Sequence, residues 1–198
     1  GMPYALFSFA AMVPWNYFSS TLTESANSLV SNANMINKVY FPRLILPLSA
    51  AFSKLLDLFI GLVVLAGFMI YFKVIPSPGL LLLPFFMLLL LFTSLGLGMI
   101  LSAMSVQYRD VKHALAFVVQ LLMYAAPVVY PVSIIPEPFR FWYCLNPMVG
   151  VIEGFRAAVF NRPMPWEYIA AGIPMAIAMF VFGAFYFKRM EKNFADLA

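Results

Sequence analysis

The sequence predicts an all-α integral membrane protein with about five transmembrane helices. Residues 79–104 are apolar, and no charged residue occurs between Lys73 and Arg109. At a rise of about 1.5 Å per residue, such a run crosses the roughly 30 Å hydrocarbon core of a bilayer as a tilted helix. The composition agrees, because 64% of the 198 residues are hydrophobic and only 10% are charged.

Apolar runs divide the chain into five predicted spans. They cover residues 4–23, 46–72, 79–104, 114–130 and 166–187. Cytoplasmic loops of membrane proteins carry an excess of Lys and Arg, and this rule sets the predicted orientation. The basic residues of three alternate segments are Lys38 and Arg43, Arg109 and Lys112, and Lys188, Arg189 and Lys192. These segments and the C-terminus are therefore predicted to be cytoplasmic, whereas the turn at Lys73 and residues 131–165 lie outside.

The N-terminal end of the sequence fits this topology only in part. The first span would begin outside the cell, yet residues 1–23 contain no basic residue and no signal-peptide n-region. An odd number of spans also leaves the two ends on opposite faces. We therefore expect at least one further span upstream. A short translocated N-terminal tail is the alternative.

The sequence shows no catalytic motif. The phosphate-binding pattern GxxxxGK[ST] is absent, because no Gly precedes a Lys, and neither HExxH nor GxSxG occurs. Cys144 and His113 are each the one residue of their type, without partners at metal-ligand spacing. We expect no metal site and no ATP hydrolysis by this chain alone, so ATP-driven transport would need a separate ATPase subunit.

Two ion pairs at i, i+3 spacing are predicted on helices. Lys54 and Asp57 share one face of the second span near its cytoplasmic end. A charge at this depth is costly unless it is paired, so loss of Asp57 should be poorly tolerated. The pair either joins helices, with Lys54 reaching towards the interface, or lies on a substrate route. Glu153 and Arg156 form the second pair, in the external segment.

The external segment, residues 131–165, is unusually apolar for a loop. Its prolines divide it into pieces too short to span a bilayer. Two short helices, at 137–145 and 148–160, fit the pattern and would form a re-entrant or interfacial hairpin. An ordinary ordered loop is the alternative.

A polar segment, residues 25–43, lies between the first two spans. Leu29, Ala33, Ile36 and Tyr40 recur at helical spacing, with polar residues between them, and Pro42 ends the pattern. We expect a short amphipathic helix on the cytoplasmic side. It would either cap the bundle or dock into a groove on a cytoplasmic partner.

Five blocks of sequence bear on function when they are taken together. In order, they are NSLVSNANMINKVYFPRLILPLSA, SVQYRDVKHAL, APVVYPVSIIP, LNPMVGVIEGFR and FYFKRMEKNFADL. They resemble the transmembrane permease of ABC-2 type exporters for polysaccharides and polyol phosphates, over nearly the whole chain. The resemblance implies export of lipid-linked O-antigen, capsule or teichoic acid across the bacterial inner membrane. Family members have six spans after an amphipathic interface helix, so this chain would begin at the second span.

The resemblance also implies partners and site residues. Two copies would form the pathway as a homodimer, in contact with membrane lipids, above two ATPase subunits that hold ATP and Mg²⁺; no bound cofactor and no nucleic acid is expected. The residues of the family's coupling helix would be Asn34, Lys38, Tyr40, Phe41, Pro42 and Arg43, within 31–43. The external re-entrant region would contain Asn146, Pro147, Glu153, Gly154 and Arg156. An ABC-2 permease for a drug or small lipid and a multispan membrane transferase remain alternatives.

Overall fold

Helices make up most of the chain in the computed structural model, which describes residues 4–36, 38–39, 41–75, 77–108 and 110–194. The helices are α1 (Tyr4–Ser31), α2 (Ala33–Ile36), α3 (Ile45–Tyr71), α4 (Leu83–Gln107), α5 (Val111–Tyr124), α6 (Glu137–Cys144), α7 (Pro147–Phe160) and α8 (Trp166–Met190). Short 3₁₀ turns cover Pro78–Leu82, Val132–Ile134 and Glu191–Asn193. The part of the chain that the structure describes contains no strand, and the predicted all-α fold class is confirmed.

Three helical segments within the described residues are long and apolar enough to cross a membrane. They are Ile45–Tyr71, Pro78–Gln107 and Trp166–Met190. Helix α1, with 28 residues, is long enough but more polar. Helix α5 has 14 residues, about 21 Å, which is shorter than a hydrocarbon core. The five predicted spans therefore remain a prediction for α1 and α5.

The largest differences from the expected helix boundaries are at the ends of α5 and α1. Helix α5 ends at Tyr124 rather than at residue 130. Pro127 accounts for this end, because proline lacks an N–H and disfavours helical geometry in the residue before it. Helix α1 continues to Ser31, beyond the predicted end of the first span at residue 23.

The short helix after the first span is shorter than predicted. It comprises only the four residues Ala33–Ile36. The helical path breaks at Asn32, whose side-chain nitrogen donates to the backbone oxygen of Ser28 at 2.8 Å. Asn side chains compete in this way with helical backbone bonds. Tyr40, at the end of the predicted helix, lies outside the described residues.

Helix α4 lies at the centre of the bundle and packs against α1, α7 and α8. Its approach to α8 depends on two glycines, because a Cβ on Gly183 would collide with the carbonyl oxygen of Gly96. Membrane helices commonly associate through such small residues, which let two backbones come close. The hydrophobic core accordingly follows α4 along its length.

The connecting segments gather at two opposite ends of the bundle. At one end, Ile36, Val106 and Phe187 belong to one apolar cluster. At the other end, the Ser77 hydroxyl donates to Asn161 Oδ1 at 3.1 Å. The segments predicted to be cytoplasmic after α1, after α4 and after α8 thus share one end. Which side of a membrane this end faces remains a prediction.

Candidate functional site

The external segment contains the two short helices that the sequence predicts. Helices α6 and α7 each match their predicted bounds to within one residue. Asn146 caps α7, since its side-chain oxygen accepts a hydrogen bond from the N–H of Met148 at 3.1 Å. Pro147 occupies the first turn of the helix, where a backbone N–H has no helical partner and its absence costs nothing. Twelve of the 14 residues of α7 are buried. Helix α7 is therefore part of the core, whereas no residue of α6 is buried.

Arg156 is the most deeply buried charged side chain of α7, with 1% of its surface exposed. Its Nη1 donates to Glu153 Oε1 at 2.9 Å. A buried charge requires such a partner, because desolvation of an isolated guanidinium costs several kcal/mol. Burial lowers the pKa of the Arg156 guanidinium, and the Glu153 carboxylate opposes this shift.

The remaining donors of Arg156 bind backbone carbonyls from distant parts of the chain. Nη2 donates to Val128 O at 2.8 Å and Nη1 to Tyr130 O at 3.3 Å. The guanidinium also lies 3.7 Å from the ring centroid of Phe7, a cation–π contact. Arg156 thereby joins α7 both to α1 and to the turn that follows α5. We call this set of contacts the Arg156 junction.

Tyrosines continue the junction towards α6. The Tyr130 hydroxyl donates to Tyr124 O at 2.7 Å and lies 2.9 Å from the Tyr143 hydroxyl. Burial, followed by the contact with Tyr130, raises the pKa of the Tyr143 phenol, which therefore stays neutral. The end of α5, the turn after it and α6 are thus connected by hydrogen bonds.

The other residues predicted for the external region lie on or beside α7. The side-chain nitrogen of Asn146 donates to Ala125 O at 3.1 Å. A Cβ on Gly172 of α8 would lie 3.2 Å from Pro147 Cα, so these two elements are in close contact. A Cβ on Gly154 would overlap the ring of Phe86 in α4. All five predicted residues therefore lie on α7 or cap it, and their role in transport remains a prediction.

The described residues among those predicted for coupling lie at the end of the bundle where α8 ends. Asn34, Lys38 and Pro42 are exposed, and Phe41 is half-buried. Arg43 Nη1 donates to the backbone oxygen of Glu191 at 2.7 Å. This contact joins the start of α3 to the 3₁₀ turn after α8.

A cleft of about 550 Å³ opens beside this contact. Its charged lining residues are Arg43, Lys188, Glu191 and Lys192. The buried Phe194 lies near Arg43, whose Cζ is 6.0 Å from the centroid of its ring, and this ring lies 5.4 Å from that of Phe187. The arrangement provides a predominantly basic surface, which we call the basic cleft.

The predicted pair in α3 is present but not buried. Lys54 Nζ lies 3.6 Å from Asp57 Oδ2, and their side chains are 27% and 63% exposed. Both residues line openings between α1 and α3. Both residues belong to one helix, and whether they pack against a second helix or lie on a substrate route remains a prediction.

The spacing of charged residues along the sequence indicated some of these contacts but not others. The pair Glu153 and Arg156 follows from their i, i+3 positions. The carbonyl partners of Arg156 and of Arg43 come from segments far away in sequence, so no local pattern indicates them. The one available signal was a single Arg within the apolar stretch 148–160.

The described residues offer no metal centre, since they include no group of three or more His, Cys, Asp or Glu side chains at metal-binding distance. What the structure supplies instead is a largely buried helix, α7, a basic cleft at the opposite end and apolar helices between them. Such an arrangement suits a membrane transport component.

Comparisons with known proteins bear on the nature of that component. Residues 3–160 match the family described as ABC-2 type transporter. Two relatives from Klebsiella pneumoniae, each named O-antigen export system permease protein RfbA, are 27% identical over 195 residues, which is 98% of this chain and 75% of each relative. A protein of the same name from Myxococcus xanthus is 26% identical over 196 residues, with the same shares.

Proposed function

This chain belongs to the ABC-2 type transporter family, and we propose that it is the transmembrane subunit of an ATP-driven exporter of lipid-linked polysaccharide in the bacterial cytoplasmic membrane. One observation carries the proposal. Proteins named as O-antigen export permeases match 98% of this chain, so the likeness is not confined to one motif. The chain is a membrane transport subunit, and a partner would supply the chemical energy.

The basic cleft and the exposed residues beside it support docking of an ATPase subunit. Lys38 and Pro42 are exposed next to Arg43, which contacts the turn after α8. A partner that pushes on residues 38–43 would therefore move the ends of α3 and α8 together. The proposed orientation follows, with this end and the C-terminus in the cytoplasm.

The proposed assembly contains two copies of this chain and two ATPase subunits. Large apolar side chains such as Phe117 and Leu121 remain exposed on α5. We therefore expect a second copy of the chain or lipid to lie beside this helix. ATP and Mg²⁺ belong to the ATPase subunits. The lipid carrier and the glycan interact with the pathway between the two copies.

Deletion of the gene in its native host tests the proposed function. We expect surface polysaccharide to disappear and the lipid-linked polymer to accumulate inside the cell, with both restored by the intact gene. A matched strain with an inactivated ATPase subunit should show the same phenotype. Unchanged surface polysaccharide, with altered efflux of a small hydrophobic compound, would contradict export of polysaccharide.

Docking is tested by replacing Lys38 and Arg43 with Ala in the full protein. We expect less ATPase subunit to be recovered in an affinity pull-down. The loss should correspond to about 1 to 3 kcal/mol of apparent binding free energy, as for central interface residues. Lys73→Ala is the control, because this exposed residue lies at the opposite end. Equal recovery for all variants would exclude the basic cleft as a docking surface.

A further inference from the structure

Helix α1 carries a continuous polar stripe within an otherwise apolar bundle. The residues follow the i, i+3, i+4 spacing of one helix face: Asn16, Ser19, Ser20, Thr23, Glu24 and Asn27. Of these, Asn16, Thr23 and Glu24 are exposed. Lipid does not satisfy the side-chain amide of Asn16 or the carboxylate of Glu24, so this face must meet water, protein or a polar ligand.

Three adjoining openings follow the stripe. Their volumes are about 340, 380 and 260 Å³. The first two share Ser19 and Ser20, and the last two share Glu24. They therefore form one groove, from Phe9 to Asn32 along α1, which is about 35 Å at ~1.5 Å per residue. That length matches the thickness of a hydrocarbon core.

The other wall of the groove is formed by α3 and α5. Helix α3 contributes Ser49, Ser53, Lys54 and Asp57, and α5 contributes Ala116 and Val119. Among the described lining residues, two carboxylates, Glu24 and Asp57, face a single cation, Lys54. The groove is thus polar on two sides and carries a small excess of negative charge.

Most hydroxyl donors of the groove, and the amide of Asn27, are already engaged with their own helices. Ser20 Oγ donates to Asn16 O at 2.5 Å, Thr23 Oγ1 to Ser19 O at 2.9 Å, and Asn27 Nδ2 to Thr23 O at 2.9 Å. On α3, Ser53 Oγ donates to Ala50 O at 2.8 Å. What remains available to a ligand is mainly oxygen lone pairs and the two carboxylates, with the Asn16 amide and the Lys54 ammonium as the remaining donors.

An acceptor-rich groove with excess negative charge favours a ligand that donates hydrogen bonds and carries no negative charge. A neutral sugar chain meets both conditions, since each residue presents several hydroxyl donors. A chain of polyol phosphate does not, because its phosphates would face Glu24 and Asp57. From these observations we infer that the groove along α1 binds a neutral, hydroxyl-rich glycan chain. This inference rests on the proposed function and narrows its substrate class.

Cysteine labelling of the complete exporter tests whether the groove is open to water. In a Cys144→Ser background, Thr23→Cys should react with a charged, membrane-impermeant thiol reagent in reconstituted vesicles. The control is Val63→Cys, an exposed apolar position on α3. We expect at least about tenfold faster labelling at position 23, because lipid excludes a charged reagent. Equal rates would mean that another helix fills the groove, and would overturn the inference.

Protection of Thr23→Cys tests the ligand class. Neutral dextran oligomers should slow the labelling at least about threefold, whereas polyglycerol phosphate at the same monomer concentration should not, since carboxylates repel a polyanion. Protection by polyglycerol phosphate, or by neither polymer, would overturn the inference. The deletion phenotype described above is independent of this result, so loss of the glycan site and loss of the export function can be told apart.

Discussion

Helices α5 and α7 have the same length, 14 residues, and both are predominantly apolar, but they pack in opposite ways. Helix α7 buries twelve residues, including the charged Arg156. Of the residues of α5, all of which the structure describes, only Leu115 is buried. They are connected through Arg156 of α7, which donates to carbonyls in the turn that follows α5.

Small residues and polar contacts explain the difference. Gly150 and Gly154 let α7 approach α8 and α4, since a Cβ at position 150 would lie 2.9 Å from Tyr168 O. Helix α5 has no glycine, and bulky side chains such as Phe117 and Tyr124 are exposed on it. Lipid tails are as apolar as Leu, so apolarity alone does not bring membrane helices together. Close backbone approach and hydrogen bonding do.

The contrast between α5 and α7 predicts that the largest loss of stability follows from a change at the Arg156 junction. Arg156→Met should destabilise the folded subunit by about 3–5 kcal/mol, because Glu153 and the carbonyls of residues 128 and 130 lose their buried donor. The measurement is the fraction of monodisperse protein after heating in detergent. Lys112→Met, at an exposed position of α5, is the matched control and should change little. Similar losses in both variants would refute the distinction between the two helices.

The next largest effect is expected at Gly154. Gly154→Ala should cost about 1–3 kcal/mol, because the added methyl group overlaps the ring of Phe86 and forces α7 away from α4. Ala114→Leu on α5 adds a larger group at an exposed position and should be nearly neutral. The same heating assay compares them. A stable Gly154→Ala protein would show that α7 can shift without loss of packing.

A smaller effect is expected at the ion pair of α3, on the open side of the molecule. Asp57→Ala should cost less than about 1 kcal/mol, because the Asp57 side chain is 63% exposed. This expectation differs from the one based on sequence, which placed the pair inside the membrane without water. The variant Lys54→Ala/Asp57→Ala should be no more stable than Asp57→Ala. Clear rescue by the double change would mean that the pair is surrounded by lipid.

The smallest effect on subunit stability is expected at Phe117 of α5. Phe117→Ala should change it by less than about 0.5 kcal/mol, because the side chain is 65% exposed and little packing is lost. Native mass spectrometry of the same variant would measure its dimer content. A large loss of heat stability would show that α5 is packed within its own subunit.

The sequence predicted those elements whose limits depend on local chemistry. Helices α6 and α7 were placed to within one residue, because prolines bound them and Asn146 caps the second. The end of α5 was missed because Pro127 lies within an apolar run that otherwise suggests a span. The continuation of α1 to Ser31 was missed because its polar stripe resembles a surface segment.

For the candidate site residues too, the sequence indicated local contacts but not contacts between distant segments. The i, i+3 spacing indicated both ion pairs, but not that one would be buried and the other open. Burial depends on which helices approach, and therefore on glycines that contact distant segments. The contact of Arg43 with Glu191 joins residues 148 positions apart, and no spacing rule reaches so far.

The Arg156 junction has a consequence for how this protein tolerates mutation. Two of its acceptors, at Val128 and Tyr130, are main-chain oxygens. Every amino acid carries such an oxygen, so these positions can change identity without removing an acceptor. Position 156 has no such freedom, because guanidinium alone offers five N–H donors in a planar fork. The hydrogen bonds from α7 to the backbone of residues 128 and 130 are thus encoded by one codon.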